Sequence, residues 1–160
     1  MQNREITIKY KIYDSSEELE KQERELLEQA IKATEGSYAP YSGFNVGAAV
    51  IMDNGAILSA ANQENAAYPS GLCAERATIF YAHSQYPDNY IKAIAIAAKH
   101  NGKLTASPTY PCGSCRQVLS ESQMRSGMPI KVILGSAGRI LLINSIDDLL
   151  PFAFDNLPEK

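Results

Sequence analysis

The sequence predicts an α/β protein in three layers: a mixed sheet of about five strands, helices on both faces, and an extra N-terminal strand. Three observations predict it. Strand-like and helix-like patterns alternate in the order β-α-ββ-α-β-α-ββ. The run from Tyr90 to Ala98 is nearly all apolar, as in a strand covered by helices on both faces. The last two strands are separated only by Gly135 to Gly138, too short a link for a crossover, so that pair is antiparallel.

Each element has its own signal. Residues 5–13 alternate, with Ile6, Ile8, Tyr10 and Ile12 on one face and Thr7, Lys9 and Lys11 on the other, which predicts a half-buried strand. Ser15 and Glu18 fit a capping box. Leu19, Leu26, Leu27, Ala30 and Ile31 then recur at helical spacing, predicting an amphipathic helix over 16–34 that Gly36 stops. Ser37 to Gly43 reads as a turn-rich loop carrying Tyr38 and Tyr41. Phe44 to Met52 and Ile57 to Ala61 form a hairpin around Asp53-Asn54-Gly55, residues that tolerate positive φ. A polar loop from Asn62 to Leu72 leads into a helix of about 74–86. The strand at 90–98 follows, and then a helix from Gly113 to Ser126 closed by Gly127. Ile130 to Leu134 and Arg139 to Ile143 are the final strands, and a short helix opening at Asp147 ends at Pro151.

The 160 residues read as one domain, 1–160, with 1–15 as an N-terminal extension. Composition is ordinary for a globular chain, 45% hydrophobic and 21% charged, which excludes bulk disorder. A net charge of −3 and a pI near 5.4 offer no basic field for nucleic acid or an anionic membrane. No apolar run approaches the ~20 residues of a membrane span, and the polar start, Met1 to Glu5, has no signal-peptide core. The expectation is a cytoplasmic protein.

Three cysteines make an odd count, too few for a disulfide framework. Taken singly, each reads as a small buried hydrophobe. Their placement argues otherwise. Cys73 opens one helix, and Cys112 and Cys115 open another in Pro111-Cys112-Gly113-Ser114-Cys115. Helix N-termini carry partial positive charge and free amides, which favour thiolates. Three thiolates on two helix starts suit one zinc ion with a fourth position open, the arrangement of catalytic zinc. Glu75, two residues after Cys73, is then placed to move protons at that position, whereas alone it would read as an acid serving the helix dipole. A ligand, x, Glu, and a distant Pro-Cys-x-x-Cys together mark the zinc nucleobase deaminases.

The sequence resembles the cytidine deaminases, in their small, three-cysteine, homotetrameric branch acting on free nucleosides. The matching landmarks are Tyr38-Ala39-Pro40-Tyr41-Ser42, Phe44 to Ala49, Asn62 to Tyr68, Cys73-Ala74-Glu75-Arg76, Pro111 to Gln117 and Leu149-Leu150-Pro151, in the family's order. The resemblance implies hydrolysis of cytidine and 2′-deoxycytidine to the uridines plus ammonia. It implies zinc ligation by Cys73, Cys112 and Cys115, and proton transfer by Glu75. It places Phe44, Asn62 and Glu64 on the nucleoside, the last two at the ribose 3′-hydroxyl. Without it, Phe44 reads as core and the other two as a solvated loop. Ala74 is implied to offer its amide to the pyrimidine carbonyl, and Tyr110 its backbone carbonyl near the leaving ammonia. Arg76 and Arg116 are implied to donate to the sulfurs and draw charge from the cluster, though an ordinary salt bridge would also explain Arg116. Phe154 would reach a neighbouring subunit's pocket, and Tyr68 would lie near a subunit boundary.

The departures are Tyr110, where the family has a small residue, Gln63, where it has an aliphatic one, and the strand at 5–13, which precedes the shared region. His83 and His100 match no family ligand and read as surface or helix residues. Two alternatives compete with this reading. One is a superfamily deaminase of another substrate, a nucleoside antibiotic or nucleic-acid cytosine. The other is a structural zinc module, which needs a fourth ligand that no cysteine or well-placed histidine supplies.

Overall fold

A computed structural model describes residues 1–155. Its strands are β1 (Tyr10–Tyr13), β2 (Phe44–Met52), β3 (Ile57–Ala61), β4 (Ile91–His100), β5 (Lys103–Leu104), β6 (Lys131–Gly135) and β7 (Ile140–Ile143). Its helices are α1 (Lys21–Ala33), α2 (Ala74–Gln85) and α3 (Gly113–Ser126). The strands form one sheet in the order β1-β7-β6-β4-β2-β3, with β5 attached to β4. The β4–β6 pair is parallel, connected through α3, and the other pairs are antiparallel.

Alternation along β2 shows how the layers arise. Ala48, Val50 and Met52 face a core shared with Ala74, Ile79 and Leu119 of α2 and α3. Ala49 and Ile51 face the opposite core, with Leu26, Leu27 and Ala30 of α1. On β4, Ile94 and Ile96 point to the α2/α3 side, and Ala93, Ala95 and Ala97 point to α1. The small residues let α1 lie close to the sheet. At Gly47 the approach is tightest: a Cβ there would collide with the Ala30 carbonyl oxygen and lie 2.6 Å from the Thr34 amide nitrogen. Glu23, buried at the start of α1, forms an ion pair with Lys131 of β6 and ties that helix to the middle of the sheet.

The three-layer prediction holds, with differences of detail. The sheet has seven strands rather than about five. The helix expected over 16–34 is divided. The Ser15/Glu18 capping box is present, yet it caps a single 3-10 turn, Ser16–Glu18, after which Leu19 turns to extended backbone and its side chain enters the core. The helix proper begins at Lys21. The N-terminal strand shrinks to Tyr10–Tyr13 because β7 ends at Ile143, opposite Tyr10, leaving residues 5–9 without a partner. Its apolar face is not half-buried as expected: Ile6, Ile8, Tyr10 and Ile12 are all exposed. The short helix expected from Asp147 is a 3-10 turn, Ile146–Asp148, capped by the Ser145 hydroxyl.

Candidate active site

Two helix starts converge on the sulfurs. Cys73 is the N-cap of α2 and Cys112 the N-cap of α3; their carbonyls accept the first helical bonds, from Ala77 at 3.0 Å and Arg116 at 2.9 Å. Cys115 follows one turn into α3 and is fully buried. The three sulfurs lie within 4.8 Å of one another, with Cys112 and Cys115 3.5 Å apart, and none forms a disulfide. Among the described residues no fourth His, Cys, Asp or Glu joins them. A hydrogen bond from Cys115, with help from Arg76, lowers the Cys73 pKa to about 5. The Cys115 thiol is pushed up because it donates that bond and is buried. A thiolate already favoured beside two further sulfurs, with an open fourth direction, is a donor set that fits zinc.

Glu75, in the first turn of α2, is 5% exposed. Burial raises its carboxyl pKa, and the neighbouring Cys73 sulfur adds to that. Arg76 donates from Nη2 to Cys73 Sγ across 3.9 Å, and its buried Nε has no hydrogen-bond partner among the described residues. Thr78 bonds the carbonyls of Ala48 and Ala74, fixing the start of α2 to β2. Arg116 is placed otherwise than expected. Its Nε donates to the Pro111 carbonyl at 2.9 Å and its Nη1 to the Leu149 carbonyl at 2.9 Å, and it makes no bond to sulfur among the described residues. The guanidinium therefore braces the segment before Cys112 against the C-terminal segment.

Beside the cluster opens a cleft of about 470 Å³, lined among others by Tyr41, Asn62, Glu64, Tyr68, Cys73 and Arg76. Asn62 follows β3 directly. Its Oδ1 accepts from Val46 N at 2.9 Å and from the Ser37 hydroxyl, and its Nδ2 donates to the Phe44 carbonyl at 2.9 Å, leaving one N–H free. Glu64 Oε2 accepts from the amides of Tyr41 at 2.9 Å and Ser42 at 3.3 Å, and Oε1 accepts from the Ser42 hydroxyl at 2.5 Å. These bonds, the Ser42 hydroxyl first, hold its pKa below the ordinary carboxylate value. Gln63 exchanges two backbone bonds with Leu72, each 2.9 Å, and its side chain reaches the Gly36 carbonyl at 3.0 Å. The loop is thereby pinned on both sides of Asn62 and Glu64.

Of the other residues singled out in the sequence, Tyr68 shares the wall of this cleft. Phe44 is half-buried at the start of β2 and Ala74 is buried beneath Cys73. Tyr110 is exposed, two residues before Cys112. Phe154 lies over the outer side of α3, its backbone clamped by Gln117 (2.8 and 3.3 Å) and its ring exposed. Tyr68 is exposed at the cleft rim, edge-on to Tyr41 at 6.4 Å. His83 lies between α2 and α3 on the Ser122 hydroxyl at 2.8 Å, and His100 ends β4, so neither joins the sulfurs. Ser42 is the residue the sequence reading left without a role. Its signal was local, a serine two residues before a strand in a turn, where Oγ accepts the Phe44 amide at 3.0 Å.

Residues 20–128 match the family described as the cytidine and deoxycytidylate deaminase zinc-binding region. The chain belongs to that family. A cytidine deaminase of Halalkalibacterium halodurans is 41% identical over 129 residues, 81% of this chain and 91% of that protein. One of Mycobacterium tuberculosis is 36% identical over 136 residues, 82% and 90% of the two chains. Among solved structures, the cytidine deaminase of Burkholderia pseudomallei superposes with a TM-score of 0.67 at 38% identity, covering 81% of this chain and 97% of that one. The family match thus spans β2 to β5, the three helices, the cysteine cluster and the cleft, whereas β1 lies before the matched residues and β6 and β7 after them.

Proposed function

We propose that this chain catalyses the hydrolytic deamination of cytidine and 2′-deoxycytidine, giving the uridines and ammonia. The observation that carries the reading is one juxtaposition: three cysteine sulfurs within 4.8 Å, a buried carboxyl two residues from Cys73, and a cleft presenting Asn62 and Glu64. Cys73, Cys112 and Cys115 would hold zinc, which when bound supplies Lewis-acid activation of the attacking water. Glu75 takes a proton from that water as oxygen bonds to C4 and delivers it to N3. A second transfer to the exocyclic nitrogen breaks the C4–N bond, releasing ammonia and leaving the C4 carbonyl. Its raised pKa favours accepting the proton.

The free Asn62 N–H and the unfilled Glu64 lone pairs suit a sugar hydroxyl, donor and acceptor at once. That pairing favours a free nucleoside, as does the acidic pI near 5.4, which disfavours a polynucleotide. Phe44, the Ala74 amide and the Tyr110 carbonyl complete the proposed substrate contacts, and Arg76 tempers the charge of the sulfur cluster. We read the working form as a cytoplasmic homotetramer in which Phe154 and Tyr68 meet neighbouring subunits; both rings are exposed in the single chain. Purified protein, assayed by ultraviolet absorbance on cytidine, deoxycytidine and cytosine with zinc measured on the same sample, should deaminate both nucleosides and bind about one zinc per chain. Cys112→Ala should lose both metal and activity. Full zinc retention in that variant would contradict the ligand set.

A further inference from the structure

Ahead of the residues that match the deaminase family, the chain carries an apolar stripe that its own fold leaves uncovered. Ile6, Ile8, Tyr10 and Ile12 are 57, 50, 55 and 51% exposed. β1 is the end strand of the sheet, hydrogen-bonded to β7 on one edge and open on the other. Residues 5–9 extend past the end of β7, with neither edge paired among the described residues. Tyr10 stands opposite Ile143 and Ile12 opposite Leu141, both residues of the α2/α3 core, so the stripe continues that face of the sheet beyond its helices. An open edge with alternating apolar residues is a template for strand addition.

We propose that this arm pairs with the same arm of a second copy, antiparallel about a two-fold axis at Ile8. The chemistry of the arm selects itself as partner. With Ile8 opposite Ile8, Ile6 stands opposite Tyr10 twice and Ile12 opposite Arg4 twice, and on the other face Glu5 stands opposite Lys11 twice, an ion pair on each side of the axis. Sliding the axis to Lys9 sets two ammonium groups against each other and parts Glu5 from lysine, and sliding it to Thr7 leaves both Tyr10 and Ile12 opposite polar residues, Arg4 and Gln2. A one-residue slip puts each apolar side chain opposite a polar one. Pairing shields the flanks of Ile6, Ile8 and Tyr10, and the backbone ladder satisfies the open edge.

The test is cross-linking within the zinc-loaded full-length protein. Cα atoms facing each other across an antiparallel pair are about 4.5–5.5 Å apart, within disulfide reach. Ile8→Cys should therefore link two chains under mild oxidation, at least about tenfold faster than Ile12→Cys, whose two copies would stand roughly 27 Å apart. Adding Glu5→Lys to Ile8→Cys should slow the link, and adding Lys11→Glu as well should restore it. Equal rates for Ile8→Cys and Ile12→Cys overturn the proposal; that is also the result if the arm folds onto its own domain or meets a different protein. β1 and β3, which leads into Asn62 of the cleft, lie at opposite ends of the strand order, so this readout does not depend on the deamination reading.

Discussion

Ser42 shows how a single hydroxyl shapes the cleft. It donates to Glu64 and accepts from the Phe44 amide, so one side chain sets both the Glu64 carboxylate and the start of β2. Because its bond is the largest cause holding the Glu64 pKa down, the carboxylate's contacts persist above the ordinary value of 4.5 and fail only as pH falls through a lower folded value. In Ser42→Ala that folded value rises. The acid-side increase in KM for cytidine should then begin at higher pH than in the wild type, with kcat little changed at neutrality; coincident KM profiles would count against it. Glu64→Ala should lower kcat/KM by roughly ten- to a hundredfold while the fold persists. Cys73, Glu75, Cys112 and Cys115 could be placed from the sequence because the chemistry demands those residue types at those spacings. The partners of Asn62 and Arg116 could not. Val46, Ser37 and Leu149 reach them only through the packing of β2, the preceding loop and the C-terminal segment.

At the scale of elements, the helices that carry the sulfurs depend on a sheet held from behind by α1. Gly47→Ala forces a methyl group into the Ala30 carbonyl and should destabilise the protein by about 1–3 kcal/mol, seen as a lower urea midpoint. An unchanged midpoint would mean that α1 can move off the sheet without cost. Helix α3 and the hairpin were legible from Gly127 and Gly55, which adopt positive φ where each element turns, and α2 from the break before Pro87. The helix over 16–34 was misread for a physical reason. Leu19 fits the apolar period, yet the chain must leave the helical path there to bury that side chain before α1 begins at Lys21. The arm at 5–9 alternates like a strand, but alternation carries no information about whether a partner strand extends that far.

For the whole molecule, layer composition was readable from which residues alternate, whereas strand order was not. The adjacency of β6 and β4, and of β1 and β7, comes from pairings far apart in sequence. Phe152 and Phe154 end the described chain as exposed rings, and Gln117 holds the backbone of Phe154 so that its ring points away from its own core. Removing the residues after Pro151 should weaken assembly, by light scattering, and raise KM for cytidine; an active monomer of the full chain would contradict the composite site. The central claim is that Glu75 moves protons beside a three-cysteine zinc site. It is tested most directly by measuring zinc content and cytidine turnover together in Glu75→Gln. The account predicts about one zinc per chain, as in the wild type, with kcat reduced by ~10²–10⁴-fold. Turnover within a few-fold of the wild type at equal zinc content would contradict it.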